Sequence, residues 1–250
     1  GNLFGEDGGM SLLTLDNLCS GYQKLEVLHN IDLFVEKGEV VNVIGANGAG
    51  KSTLMHTICG VLPVQKGEIT YKDTRIDSLP TYLRVEMGMG YVPQDANIFP
   101  DLTVQENLEM GGFTISNLSQ KIEEVFDYFP KLKERNTQYA STLSGGERQM
   151  LAVGSALLTS PDLLILDEPI SGLSPQASQS LIESITNINK GGCSLLWVVE
   201  ENPRESLSHA DRVYLLSNGK VVKEGSSDDF LADENFEKLF LGHDVDAASE

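Results

Sequence analysis

The spacing of apolar and polar residues predicts strands and helices that alternate along most of the chain. In the segment 27–36, Ile31, Leu33 and Val35 share one side, as in a strand with one buried face. The segment 40–44 is mostly apolar and β-branched, which favours a strand buried on both faces. Further strands are predicted at 12–18, 68–71, 90–93, 162–166, 194–199, 213–217 and 221–224, and helices at 52–59, 103–110, 119–129, 131–135, 147–158 and 175–188.

This order of elements predicts an α/β fold, because strands that alternate with helices usually build a mainly parallel sheet. The segment from about 96 to 159 contains predicted helices and no predicted strand, so we interpret it as a helical subdomain inserted into the core. Residues 1–9 precede Met10 and are predicted to be disordered or left over from cloning. The predicted organisation is a single domain at 10–242, with its core at about 10–95 and 160–225, its helical subdomain at about 96–159 and a helical tail at 226–250.

Composition narrows the range of partners. The chain has 250 residues and a formal net charge of −19, and so acidic a surface repels nucleic-acid phosphates and anionic lipids. We therefore expect no nucleic-acid partner, whereas a specific membrane-protein partner is compatible with this charge. The sequence has no apolar run of the roughly 18 residues that a membrane-spanning helix needs, and no signal peptide is predicted. The three cysteines lie far apart and are interpreted as buried thiols in a reducing compartment.

The segment 45–52 matches the phosphate-loop pattern G-x-x-x-x-G-K-[ST] between a predicted strand and a predicted helix. Its glycines let backbone N–H groups point at phosphate oxygens, and the helix N-terminus adds partial positive charge. Lys51 can bridge the β- and γ-phosphates, and the Ser52 hydroxyl can bind Mg²⁺. A glycine-rich hairpin turn is the alternative, which the flanking strand and helix disfavour. The predicted nucleotide-binding residues are Gly45, Ala46, Asn47, Gly48, Ala49, Gly50, Lys51, Ser52 and Thr53.

Two acidic residues follow a buried strand further along the chain. The apolar run 163–166 delivers Asp167 to the strand end, where a carboxylate can hold Mg²⁺. Glu168 comes next and could polarise a water for attack on the γ-phosphate. Alone, this pattern also fits a strand that ends in two solvated acids. Together with the phosphate loop, it predicts the second half of a nucleotide site.

A third segment, Leu143-Ser144-Gly145-Gly146-Glu147, lies just before a predicted helix. It offers a hydroxyl, two unhindered backbone N–H groups and a helix N-terminus, which together can bind an anion. An ordinary helix entrance is the alternative, because Ser144 and Glu147 also have capping-box spacing. Both interpretations can hold at once.

These three segments, in this order and spacing, resemble the ATP-binding-cassette (ABC) ATPases over about 12–242. The resemblance implies a P-loop fold with an N-terminal antiparallel β part, and an ATPase that couples ATP–Mg²⁺ hydrolysis to transport. It also implies a head-to-tail dimer in which Ser144, Gly145 and Gly146 contact the ATP of a second ATPase subunit. Permease subunits and a solute-binding protein would be the other partners, at the cytoplasmic face of the membrane.

By the same resemblance, Gln94 matches a glutamine that senses Mg²⁺ and the attacking water, and Tyr22 matches an aromatic that stacks on adenine. A surface-packed aromatic is the alternative for Tyr22. The implied catalytic residues are Glu168, Gln94 and Lys51, and the implied metal ligands are Ser52, Gln94 and Asp167.

Two positions depart from the family pattern. Glu201 stands where a histidine is usual, and a deprotonated carboxylate cannot donate a hydrogen bond to a phosphate. Ser174 stands where an aspartate is usual. Both departures resemble the ATPases of branched-chain amino-acid and urea importers, in which such subunits often pair with a different ATPase. Hydrolysis at this site is therefore expected to be weaker than at the partner's.

Two other functions fit parts of the sequence pattern. The segment 90–107 also resembles the ATPases of lipopolysaccharide exporters, so lipid export is the first alternative. An ATP-gated clamp acting in DNA repair or on the ribosome is the second, which the acidity and the single cassette disfavour.

The candidate contacts for a permease helix are Ile98, Phe99 and Leu102, with burial inside the helical subdomain as their alternative.

Overall fold

The computed structural model of the protein describes residues 11–95, 97–200, 203–233 and 240. The described strands are β1 (Ser11–Tyr22), β2 (Leu25–Glu36), β3 (Val40–Ile44), β4 (Val64–Tyr71), β5 (Thr74–Arg75), β6 (Met89–Val92), β7 (Leu163–Asp167), β8 (Ser194–Val199), β9 (Arg212–Ser217) and β10 (Lys220–Ser226). The described helices are α1 (Lys51–Ile58), α2 (Thr81–Glu86), α3 (Val104–Gly111), α4 (Leu118–Tyr128), α5 (Pro130–Glu134), α6 (Gly145–Leu157), α7 (Pro175–Lys190), α8 (Pro203–Leu207) and α9 (Ser227–Ala232), with a short 3₁₀ turn at Ala140–Thr142.

The described strands form two sheets. The larger has the order β10-β9-β3-β8-β7-β6, and all its neighbours are parallel except the β10–β9 pair. The smaller sheet, β2-β1-β4-β5, is antiparallel. The predicted α/β fold with a mainly parallel sheet and an N-terminal antiparallel part is confirmed. Because parallel strands end at one edge, the residues that follow β3, β6, β7 and β8 meet there.

The core lies on both faces of the parallel sheet. In β3, Val40 and Ile44 pack on the helical side, while Val41 and Val43 pack toward the antiparallel sheet. Strand β7 divides its side chains in the same way. This two-sided burial explains why these strands are continuous apolar runs without alternation.

Helices α3, α4, α5 and α6 pack together against the helical side of the sheet. Helices α4 and α6 approach closely at Gly154, where a Cβ atom would lie 2.7 Å from Val125 Cγ1. No strand occurs among the described residues between β6 and β7, as the sequence predicted for the inserted helices. The exact domain boundaries stay a prediction.

Several elements differ from the sequence prediction. Strand β1 is longer than the predicted 12–18, because it continues through irregular pairing after Asn17, whose φ is 47°. Strand β5 and helices α2 and α8 were not predicted at all. In the predicted tail, residues 226–233 and Phe240 lie within the described residues and include α9, and the N-terminal stretch 1–9 lies outside them.

Candidate nucleotide site

The phosphate-loop segment 45–52 connects β3 to α1, as the sequence predicted. Gly48 and Gly50 have φ values of +79° and +106°, which L side chains rarely adopt. Gly50 is the N-cap of α1 and makes no side-chain cap bond, so the first N–H groups of the helix are available to an anion. Asn47, Gly48 and Ser52 are exposed at this opening. The loop is therefore shaped to receive a phosphate group.

Lys51 lies inside the loop and is only 4% exposed. Its Nζ donates hydrogen bonds to the carbonyl oxygens of Gly45 and Ala46 at 2.8 and 2.9 Å. It also donates to Glu200 Oε2 at 3.3 Å. A buried ammonium with this set of acceptors is firmly positioned.

Asp167 ends β7 beside this loop and offers one free oxygen. The Tyr91 hydroxyl donates to Asp167 Oδ2 at 3.3 Å, while Oδ1 is buried without a hydrogen-bond partner among the described residues. Burial raises the pKa of Asp167, although the Tyr91 hydrogen bond opposes that shift. A buried carboxylate oxygen with no partner fits a ligand of Mg²⁺, which prefers oxygen donors.

Glu168 occupies a constrained position next to Asp167. Its φ is 48°, and its N–H donates to the Val198 carbonyl at 3.1 Å, which fixes the turn after β7. Its Oε2 accepts a hydrogen bond from Gln94 Nε2 at 3.2 Å. Burial, then hydrogen bonding and repulsion from Glu200, raise the pKa of Glu168 to about 7. A carboxylate with that pKa is suited to accept a proton near neutral pH.

Ser144, Gly145 and Gly146 form the third predicted segment, here called the signature loop, at the start of α6. Ser144 and Glu147 form a capping box, so the helix-entrance interpretation holds. Ser144 and Gly145 are exposed, whereas Gly146 is buried against Ala177. Ser144 and Gly145 therefore face the outside of the chain at the helix entrance, where the capping box already uses the Glu147 N–H.

The remaining predicted residues lie near the surface. Tyr22, at the end of β1, is 47% exposed and available to stack on a planar ring. Phe99 is 51% exposed, whereas Ile98 is half-buried against the helical cluster and Leu102 is half-buried. Ser174 caps α7 by accepting from the Ala177 N–H. Glu201 lies outside the described residues, so the hypothesis about it stays a prediction.

Sequence reasoning missed two residues of this site. Glu200 contacts both Lys51 and Glu168, and Tyr91 orients Asp167. Both residues lie at the ends of strands that flank β7 or β3, so the parallel-sheet rule could have found them.

Comparison with known proteins identifies the class. Residues 28–171 match the family model described as "ABC transporter". The chain is 40% identical to the high-affinity branched-chain amino acid transport ATP-binding protein BraG of Pseudomonas aeruginosa, covering 92% of this chain and 100% of that protein. It is 36% identical to the probable branched-chain amino acid transport ATP-binding protein LivF of Archaeoglobus fulgidus, covering 92% and 99%. The chain therefore belongs to the ABC transporter family, as its ATP-binding and ATP-hydrolysing subunit.

A further relative and a solved structure are similar to the chain over nearly its full length. The chain is 32% identical to the lipopolysaccharide export system ATP-binding protein LptB of Haemophilus influenzae, covering 93% of this chain and 98% of that protein. The crystal structure of an ATP-binding cassette of an ABC transporter in its ADP conformation superimposes with a TM-score of 0.84 at 25% identity, covering 93% and 99%. Within the described residues, no helix has the length and apolar character required to cross a membrane.

Proposed function

We propose that the chain powers the import of branched-chain or other neutral amino acids by hydrolysing ATP, with Mg²⁺ as cofactor. The observation that carries this proposal is the meeting of Lys51, Asp167, Glu168 and Gln94 at one sheet edge. The identity to BraG supports the substrate class. Urea is the second solute class that the sequence pattern favours.

Binding begins at the phosphate loop. The loop amides and Lys51 hold the β- and γ-phosphates, and Tyr22 stacks on adenine. Ser52, Asp167 and Gln94 would hold Mg²⁺, which when bound neutralises phosphate charge. The free Oδ1 of Asp167 supports this assignment.

Hydrolysis depends on Glu168. Its carboxylate, with a pKa of about 7, accepts a proton from a water aligned for attack on the γ-phosphorus. Gln94, which donates to Glu168, holds that carboxylate in position. Charge that develops on the transferred phosphoryl group is stabilised by Lys51 and the loop amides.

The signature loop completes a second site. Ser144, Gly145 and Gly146 bind the γ-phosphate of ATP held by another ATPase subunit, in a head-to-tail dimer. Closure of that dimer would move the permease subunits, and a solute-binding protein would deliver the substrate. The chain would then lie as a peripheral subunit at the cytoplasmic face of the membrane.

Lipid export remains the second candidate, because the LptB relatives are 31–32% identical over nearly their full length. The higher identity to BraG favours import. The test is to delete the gene and measure uptake of radiolabelled leucine and urea. Loss of leucine uptake, restored by the wild-type chain but not by Lys51→Ala, is the expected result. Unchanged uptake with a defect in outer-leaflet lipid would contradict import.

A further inference from the structure

Lys51 forms an ion pair with Glu200 of its own chain. An ammonium group has three N–H donors, and within the described part of the chain Lys51 donates to the Gly45 and Ala46 carbonyls and to the Glu200 carboxylate. Only Glu200 among these acceptors is charged. Since a buried ammonium requires a partner, the ion pair with Glu200 stabilises Lys51 when no nucleotide is bound.

The same ammonium is proposed to hold the β- and γ-phosphates. The two carbonyls that accept from Lys51 are neutral groups. Both belong to the phosphate loop, so they move together with Lys51. Glu200 comes from a different strand end and is the acceptor that a phosphate oxygen would replace. A phosphate bound to Lys51 would also lie close to the Glu200 carboxylate. Repulsion between these two negative charges would cost free energy.

Glu200 has room to leave. It follows the end of β8, and its side chain is 26% exposed, whereas that of Lys51 is 3% exposed. It also lines a cavity of about 310 Å³ together with Ser171, Trp197 and Glu205. The carboxylate can therefore swing into this cavity while Lys51 stays with the loop.

We propose that Glu200 is an internal competitor of the nucleotide, occupying on Lys51 the place of a phosphate oxygen. This inference rests on the proposed role of Lys51 in phosphate binding. Entry of ATP displaces Glu200, and the ion pair forms again when the phosphates leave. Glu200 thereby sets the nucleotide affinity of the resting subunit and favours release of ADP. Its effect is confined to ligands that place a β- or γ-phosphate on Lys51.

The test is calorimetric titration of the purified chain with a non-hydrolysable ATP analogue, ADP and AMP. Glu200→Gln keeps the size of the side chain and removes its charge, so the analogue should bind about ten-fold more tightly. ADP should gain less, and AMP should not change. Glu200→Ala should show the same order of gains. Glu205→Gln, which removes an exposed carboxylate from the same cavity wall, should bind all three as the wild type does.

A double variant separates competition from a general charge effect. In the Lys51→Ala background, Glu200→Gln should give no gain in affinity for the analogue. An equal gain there, or wild-type or weaker binding by Glu200→Gln and Glu200→Ala, would overturn the inference while leaving the phosphate loop in place. If the wild-type chain bound no analogue, the proposed function of the loop would fail, and the inference with it.

Discussion

The two loops proposed to bind phosphate, the phosphate loop and the signature loop, differ in their surroundings. In the phosphate loop, Lys51 is buried and donates hydrogen bonds to its own chain, although Asn47, Gly48 and Ser52 are exposed. The signature loop also begins a helix, but Ser144 and Gly145 are exposed, and the capping box there joins Ser144 to Glu147. Both loops therefore have a helix N-terminus that can bind an anion. The phosphate loop adds a buried lysine from its own chain, whereas the signature loop presents an exposed helix entrance. That difference supports a site shared between two subunits.

The largest effect on ATP turnover is expected from a substitution in the phosphate loop. Lys51→Ala removes the charge that is proposed to hold the phosphates, so ATP turnover of the assembled transporter should fall about 1,000-fold. Nucleotide binding by the isolated chain should weaken as well. Lys66→Ala, which removes an exposed lysine, is the control and should leave both quantities unchanged. Full ATPase activity in Lys51→Ala would remove the loop from the site.

Glu168→Gln should lower turnover about 100-fold, because the amide cannot accept the proton of the attacking water. ATP binding should be retained, since Glu168 is not proposed to hold the phosphates. Glu183→Gln on α7 serves as the matched control. Turnover at the wild-type rate in Glu168→Gln would assign the base to another residue.

The pH profile of the wild-type enzyme gives a second view of Glu168. Burial raises its pKa to about 7, so the carboxylate is increasingly protonated, and inactive as a base, below that pH. The value of kcat/KM should therefore rise with pH through about 7 and level off above it. Glu200 also raises this pKa, so Glu200→Gln should move the midpoint to lower pH. A midpoint that does not move would show that Glu200 does not act on Glu168.

A substitution in the signature loop should lower ATP turnover by a smaller factor. Gly145→Asp places a carboxylate at the first position of α6, where it favours the helix but repels an incoming phosphate. The nearest atom to the new Cβ is Leu173 Cδ2 at 3.5 Å, so the fold has room for it. Turnover of the assembled transporter should fall about ten-fold. Ser141→Asp, also exposed, is the control, and equal losses in both variants would make the effect non-specific.

The smallest effect concerns Tyr91. Tyr91→Phe removes the hydroxyl that orients Asp167, so Mn²⁺ binding in the presence of ADP should weaken about three-fold. Electron paramagnetic resonance of free Mn²⁺ measures this directly. Tyr71→Phe is a matched control, because it removes a buried tyrosine hydroxyl that bonds the Gly88 carbonyl instead. Wild-type Mn²⁺ affinity in Tyr91→Phe would leave Tyr91 without a role at the metal.

The sequence predicted the elements whose pattern is strong. Strand β8 was predicted with its observed bounds, because an apolar run of 6 residues between polar turns is shorter than most helices. Helix α2 was missed because its anchor is Arg84, whose guanidinium is buried and donates to the carbonyls of Thr57 and Ile58 at the end of α1. A charged residue in a sequence indicates exposure, so this contact could not be predicted before the fold brings both elements together.

The site shows the same division. Lys51, Asp167 and Glu168 follow local patterns that a sequence displays directly. Glu200 was missed because its role depends on its distance from Lys51, which is 149 residues away along the chain. Such a pair becomes visible only when the strand order is known.

The central claim is that one loop binds ATP within this chain and the other serves a neighbouring subunit. Equilibrium ATP binding to the purified chain, at a concentration where it is monomeric, tests this most directly. The account predicts that Lys51→Ala loses ATP affinity whereas Gly145→Asp keeps the wild-type value. An equal loss of affinity in Gly145→Asp would place both loops in one site of one chain and contradict the account.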